Sequence, residues 1–144
     1  MRVDGRTTAT VAVGGLFGAA AREALEQAIH TPAHGFPVAT FLVNVSGAFL
    51  LGLILEALVR AGPDAGWRQR ARLLVGTGFM GAYTTYSTLA VETDQLFRTG
   101  HPATGAGYAI ASAAAGLVAA AAGIYLAAAR HGTDALPVDP DVDR

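Results

Sequence analysis

The chain has 144 residues, 52% of them apolar and only 15% charged, with 18 glycines, no cysteine and no lysine. Ten arginines against eleven acids leave a formal net charge of −1, so no basic patch points to nucleic acid. Missing cysteines exclude a disulfide framework and a thiol nucleophile. No two of the four histidines (His30, His34, His101, His131) share a predicted helix, and no nucleophile–base pair or metal set argues for an enzyme.

Spanning a bilayer takes about 20 mostly apolar residues in one helix. The first segment is uncharged from Thr7 to Ala21, between Arg2 and Arg6 on one side and Arg22, Glu23 and Glu26 on the other. Alone, that pattern could be a signal peptide, but its removal would leave a three-span remnant. The reading adopted is a span over about 7–28. Arg22 then snorkels near the far interface and is an i,i+4 partner of Glu26. The second segment carries no charge from Gly35 to Leu55, the third none from Leu73 to Val91, and the fourth none from Pro102 to Ala129. Soluble helices of that length would keep a polar face. The sequence therefore predicts an all-α membrane protein with spans near 7–28, 36–59, 73–97 and 104–129 in one domain, residues 1–130.

Prolines mark short loops at His30–Pro37, Arg60–Arg72 and Arg98–Thr104, so successive helices are expected to be antiparallel neighbours. The acidic, proline-containing tail, residues 131–144, reads as disordered. Small residues four apart (Gly14 and Gly18, Ala48 and Gly52, Ala109 and Ala113, Gly116 and Ala120) suit close packing of helices in lipid. Arg2, Arg6, Arg60, Arg68, Arg70, Arg72 and Arg130 fall on one side of the four spans, against Arg98 in the loops of the other. That bias places both termini in the cytoplasm of a multi-pass plasma-membrane protein.

The third segment breaks the apolar pattern with GTGFMGAYTTYSTLAVE, Gly76 to Glu92, where Thr84, Thr85, Ser87 and Thr88 crowd together. Two readings are open. The hydroxyls could bond back to i−4 carbonyls in a continuous helix, or the helix could break at mid-membrane, with its freed backbone lining a cavity. Tyr86 and Leu89 are i,i+3 and would share a face. Asn44 in the second span is either helix glue or a pathway residue. Tyr108 and Ser112 in the fourth are an i,i+4 pair open to the same two readings.

Taken in order, Gly15-x-x-Gly18-x-x-x-Arg22, FLVNVSGAFLLG (Phe41 to Gly52) and GAYTTYST (Gly81 to Thr88) closely resemble the CrcB/Fluc family of fluoride channels over about residues 9–129. The resemblance implies a four-helix protein, its third helix broken at mid-membrane, that pairs antiparallel and exports fluoride passively through two pores. It also implies a central structural sodium ion on the carbonyls of Gly81 and Thr84. The implied polar track is Asn44, Thr85, Ser87 and Thr88 with Tyr108 and Ser112, and Arg22 matches the vestibular arginine. The family's two pore phenylalanines correspond to Tyr86, which keeps a ring edge for the anion, and Leu89, which does not.

One departure is topological. An inverted homodimer needs a chain that inserts both ways, whereas here seven or eight arginines face one. The expectation is a heterodimer with a related chain of opposite bias, with a homodimer as the alternative. Two rival functions remain. A non-conducting partner subunit would need no intact pore, and a proton-coupled multidrug exporter would want a central glutamate, whereas Glu23 and Glu26 lie near a helix end.

Overall fold

The computed structural model describes residues 4–29 and 35–130, which form helices and no strand. The tail at 131–144, read above as disordered, lies outside these residues, as does most of the first loop. Helix α1 covers Gly5–Ala28 and α2 covers Val38–Arg60. A short α3, Trp67–Ala71, runs into a π-helical stretch, Arg72–Met80, and a single turn, α4, Gly81–Tyr83. Helix α5 covers Tyr86–Arg98 and α6 covers Pro102–Arg130.

Two of these helices are long and apolar enough to cross a membrane by themselves: α2 with 23 residues and α6 with 29. At a rise of about 1.5 Å per residue they extend about 34 and 43 Å, against about 30 Å of hydrocarbon. Helix α1 has the length, 24 residues, but Arg6, Arg22, Glu23 and Glu26 confine its apolar part to the middle. The third segment is divided, and its longest α-helical piece is the 13-residue α5.

Side-chain size decides which helices touch. Helix α2 packs mainly on α6, and α1 mainly on the π-helical stretch and α4, while α5 lies against α6. Glycines let backbones meet at both seams. A Cβ on Gly52 would lie 2.5 Å from the Ala120 carbonyl oxygen, and one on Gly123 would overlap the Phe49 carbonyl. On the other seam, Gly14 and Gly18 face the carbonyls of Leu74 and Phe79, and a Cβ on Gly78 would lie 2.5 Å from that of Val11. Gly116, expected to pack by its spacing with Ala120, instead faces open space.

A contrast of substitutions follows. Gly123→Ala is expected to wedge α2 from α6, with its methyl also 2.8 Å from the Leu53 nitrogen, and to cost about 1–3 kcal/mol. Gly116→Ala should be neutral or better, since alanine gains up to about 1 kcal/mol over glycine in a helix. Thermal melting of the two detergent-purified variants, followed by loss of the size-exclusion peak, checks the order.

The α5–α6 turn is set by two residue types. Gly100 has φ 83°, and the backbone closes with His101 N–H donating to the Leu96 carbonyl at 2.8 Å and Gly100 N–H to that of Phe97 at 3.2 Å. This is a Schellman ending, which favours glycine at the left-handed position. Pro102 then opens α6, where its missing N–H costs nothing. The turn carries α6 back along α5, with Gly105 against Leu96 and Phe97.

Candidate functional site

Between α4 and α5 the backbone leaves helical geometry for two residues. Thr84 has φ −80°, ψ 155° and Thr85 has φ −147°, ψ 117°. The two behaviours weighed for these hydroxyls both occur, on adjacent residues. Thr84 Oγ1 donates back to the Met80 carbonyl at 2.9 Å, the local bond that threonine makes in a helix. Thr85 instead caps α5: its Oγ1 accepts from the Thr88 N–H at 3.1 Å, meeting one of the orphan donors at a helix start.

Asn44 holds the opened backbone. Its Nδ2 donates to the Thr85 carbonyl at 2.9 Å, and its Oδ1 accepts from the Thr85 N–H at 2.8 Å. In an unbroken helix that N–H would have gone to the Gly81 carbonyl. The amide thus substitutes for the backbone partner that the Thr85 N–H has lost, and adds a donor to the carbonyl that opens α5. Thr85 is only 6% exposed, so a backbone group left unpaired there would be costly. Helix α2 comes this close because Gly47 offers no side chain: a Cβ there would overlap the Thr84 methyl. Ser46 adds a 3.0 Å hydrogen bond to the Tyr83 hydroxyl.

Around the cap, Thr85 Oγ1 lies 3.1 Å from Ser87 Oγ and donates to Thr88 Oγ1 at 3.0 Å. Tyr86, next along α5, is 83% exposed, and Leu89 is half-buried. Gly81 is exposed, with no heavy atom within 4 Å of where its Cβ would stand. Among the described residues no three His, Cys, Asp or Glu converge. The oxygen donors at the break are therefore backbone carbonyls and hydroxyls, which suit a hard cation.

One helical turn further along α2 and α5, these two helices meet α6 in a second polar cluster, whose Thr40 and Glu92 the sequence reading missed. Glu92 of α5 accepts from Thr40 Oγ1 at 2.9 Å and from the Tyr108 hydroxyl at 2.7 Å. Thr40 and Tyr108 are 2% and 0% exposed, and the Phe36 ring packs edge-on to Tyr108 at 5.2 Å. Spacing connects the two clusters. Thr40 and Asn44 are i,i+4 on α2, Thr88 and Glu92 are i,i+4 on α5, and Tyr108 and Ser112 are i,i+4 on α6. Ser112 Oγ is buried and has no hydrogen-bond partner among the described residues. Of the predicted site residues, Arg22 lies on α1, which contributes none of these hydrogen bonds. Its Nε is 3.7 Å from Glu26 Oε1, beyond hydrogen-bonding distance, which agrees with that buried oxygen having no hydrogen-bond partner among the described residues.

The family model described as CrcB-like protein, Camphor Resistance (CrcB), matches residues 9–124. A Leifsonia xyli subsp. xyli protein named fluoride-specific ion channel FluC 2 is 46% identical over 116 residues, 81% of this chain and 79% of the relative. One from Cutibacterium acnes named fluoride-specific ion channel FluC 1 is 43% identical over 106 residues, 74% of each chain. Another FluC 1, from Mycolicibacterium paratuberculosis, is 41% identical over 113 residues, 78% of this chain and 83% of the relative.

Proposed function

This chain belongs to the CrcB family, and on that premise we propose that it is a subunit of a fluoride-specific channel giving passive fluoride efflux from the cytoplasm. The family is one of ion channels, and the chain is not an enzyme. The observation that carries the reading is the line of donors at the α4–α5 break. Fluoride is small and strongly hydrated, so a pore must replace its water with N–H and O–H groups. Asn44 spends one of its two N–H donors on Thr85 and keeps one. Thr85, Ser87 and Thr88 supply reorientable hydroxyls, and Ser112 supplies a buried one with no partner among the described residues. Glu92 does not face the anion as a bare charge: both its oxygens accept hydroxyls.

In this proposal the break lies at mid-membrane and meets an inverted second chain. The exposed Tyr86 and Gly81 then turn to the partner, where Tyr86 offers the electropositive edge of its ring to the anion. The carbonyls of Gly81 and Thr84 would hold a structural sodium ion, and the donors fit it. They are hard oxygens, and Gly81 has lost its helical partner to Asn44. Two carbonyls are fewer than a cation requires, so the second chain completes the set. The ion supplies a fixed charge that ties the two breaks together.

The one-sided arginines support cytoplasmic termini and a partner of opposite bias. The relatives' numbered names, FluC 1 and FluC 2, accord with such paired chains. Fluoride efflux from liposomes, with chloride as control, tests the reading. The chain co-reconstituted with its nearest paralogue should release fluoride and retain chloride. Full activity from the chain alone, with both orientations detected, would overturn the heterodimer.

Leu89 favours a second reading, a partner subunit whose own pore is silent. Leu89→Phe restores the electropositive edge of a ring at the anion path, and fluoride flux through a pore using this position should rise about twofold to tenfold, the equivalent of about 0.4–1.4 kcal/mol. No change in the same liposome assay would mean that the pore at this position stays silent whichever side chain lines it.

A further inference from the structure

On the outer side of the α1 seam, Val13, Phe17, Leu74 and Phe79 line an apolar cleft of about 350 Å³ backed by Gly14. A second cleft of about 440 Å³ shares Val13 and Leu74 and ends at Arg70, so the two form one furrow. We propose that this furrow is a binding site for an anionic phospholipid, with the phosphate at Arg70 and one acyl chain along Val13 to Phe79.

Three observations fit that occupant. The furrow runs along α1 from Ala9 to Phe17, about 12 Å at about 1.5 Å per residue, close to the depth of one leaflet of a hydrocarbon layer about 30 Å thick. Its inner part presents no polar surface, as an acyl chain requires. Its only charge stands at one end. Arg68 is drawn to the Pro63 carbonyl and Arg72 to Asp64, whereas the exposed Arg70 guanidinium makes no ion pair or hydrogen bond among the described residues. Trp67 is three residues earlier on the same face and 63% exposed, the placement of a residue that sits among headgroups.

Trp67 is the only tryptophan, so it reports on lipid beside it. The full chain is reconstituted in phosphatidylcholine with an equal small fraction of brominated phosphatidylglycerol or brominated phosphatidylcholine, and quenching of Trp67 is measured. The expected result is an apparent preference for phosphatidylglycerol of about fivefold, lost in Arg70→Gln. Val13→Phe fills the furrow and keeps every arginine, and because Val13 is half exposed the added ring meets lipid and not the core. It too should abolish the preference. Equal quenching by the two brominated lipids overturns the proposal, as does a preference that survives either substitution. A Val13→Cys variant of this cysteine-free chain that crosslinks to a second copy would likewise overturn it, giving the furrow to a protein neighbour.

Discussion

Replacing Asn44 with leucine is expected to abolish fluoride release and to destabilise the chain by about 1–3 kcal/mol, since it strands the buried Thr85 N–H, while the Thr85 carbonyl keeps the first bond of α5. Both amide bonds of Asn44 go to Thr85, and the Thr85 N–H stands outside the α5 ladder because Thr85 is its N-cap. Leucine also removes the free N–H donor, so lost flux could reflect either change. Asn44→Asp separates them. The carboxylate still accepts from the Thr85 N–H, and so keeps half of the clamp, but it offers no donor and adds a negative charge in the path of an anion. Its melting temperature should fall between those of wild type and Asn44→Leu, while its flux is as low as that of leucine. Unchanged flux from Asn44→Asp in a mixed assembly would assign conduction to the partner chain.

The Glu92 cluster gives the second large effect. Glu92→Leu is expected to leave the Thr40 and Tyr108 hydroxyls buried without an acceptor, again about 1–3 kcal/mol each. Glu92→Gln keeps one carbonyl oxygen and presents an N–H₂ group where the other stood. Either hydroxyl can rotate to accept from that group, so glutamine should cost much less than leucine. Melting temperatures of the two variants, read beside Tyr108→Phe, test the arrangement. If the three residues act as a unit, the Glu92→Leu and Tyr108→Phe losses will not add.

The helical character was legible because uncharged runs leave no polar face, and the family was legible because GAYTTYST and FLVNVSGAFLLG are specific strings. Asn44 and Thr85 each drew attention, one as a lone amide and one as a crowded hydroxyl, but nothing in the order of residues paired them across 41 positions. Glu92 escaped for a related reason. It ends an uncharged run and so reads as a charge at an interface, whereas its partners Thr40 and Tyr108 come from two other helices. The π-helical geometry of Arg72–Met80 had no sequence signal either. Gly116 shows the opposite error: a small-residue spacing that matched a packing pattern but faces outward.

Pairing of the second helix with the last has a consequence for biosynthesis. Until α6 is made, the bare backbone strip around Gly52 has no partner within the bundle, so the α2–α6 seam closes last. The α1 seam and the Asn44–Thr85 clamp can form earlier, because their partners precede α6. Assembly thus has a fixed order, and a nascent chain halted before Pro102 would present its longest unsealed groove to the membrane's proteases and insertases.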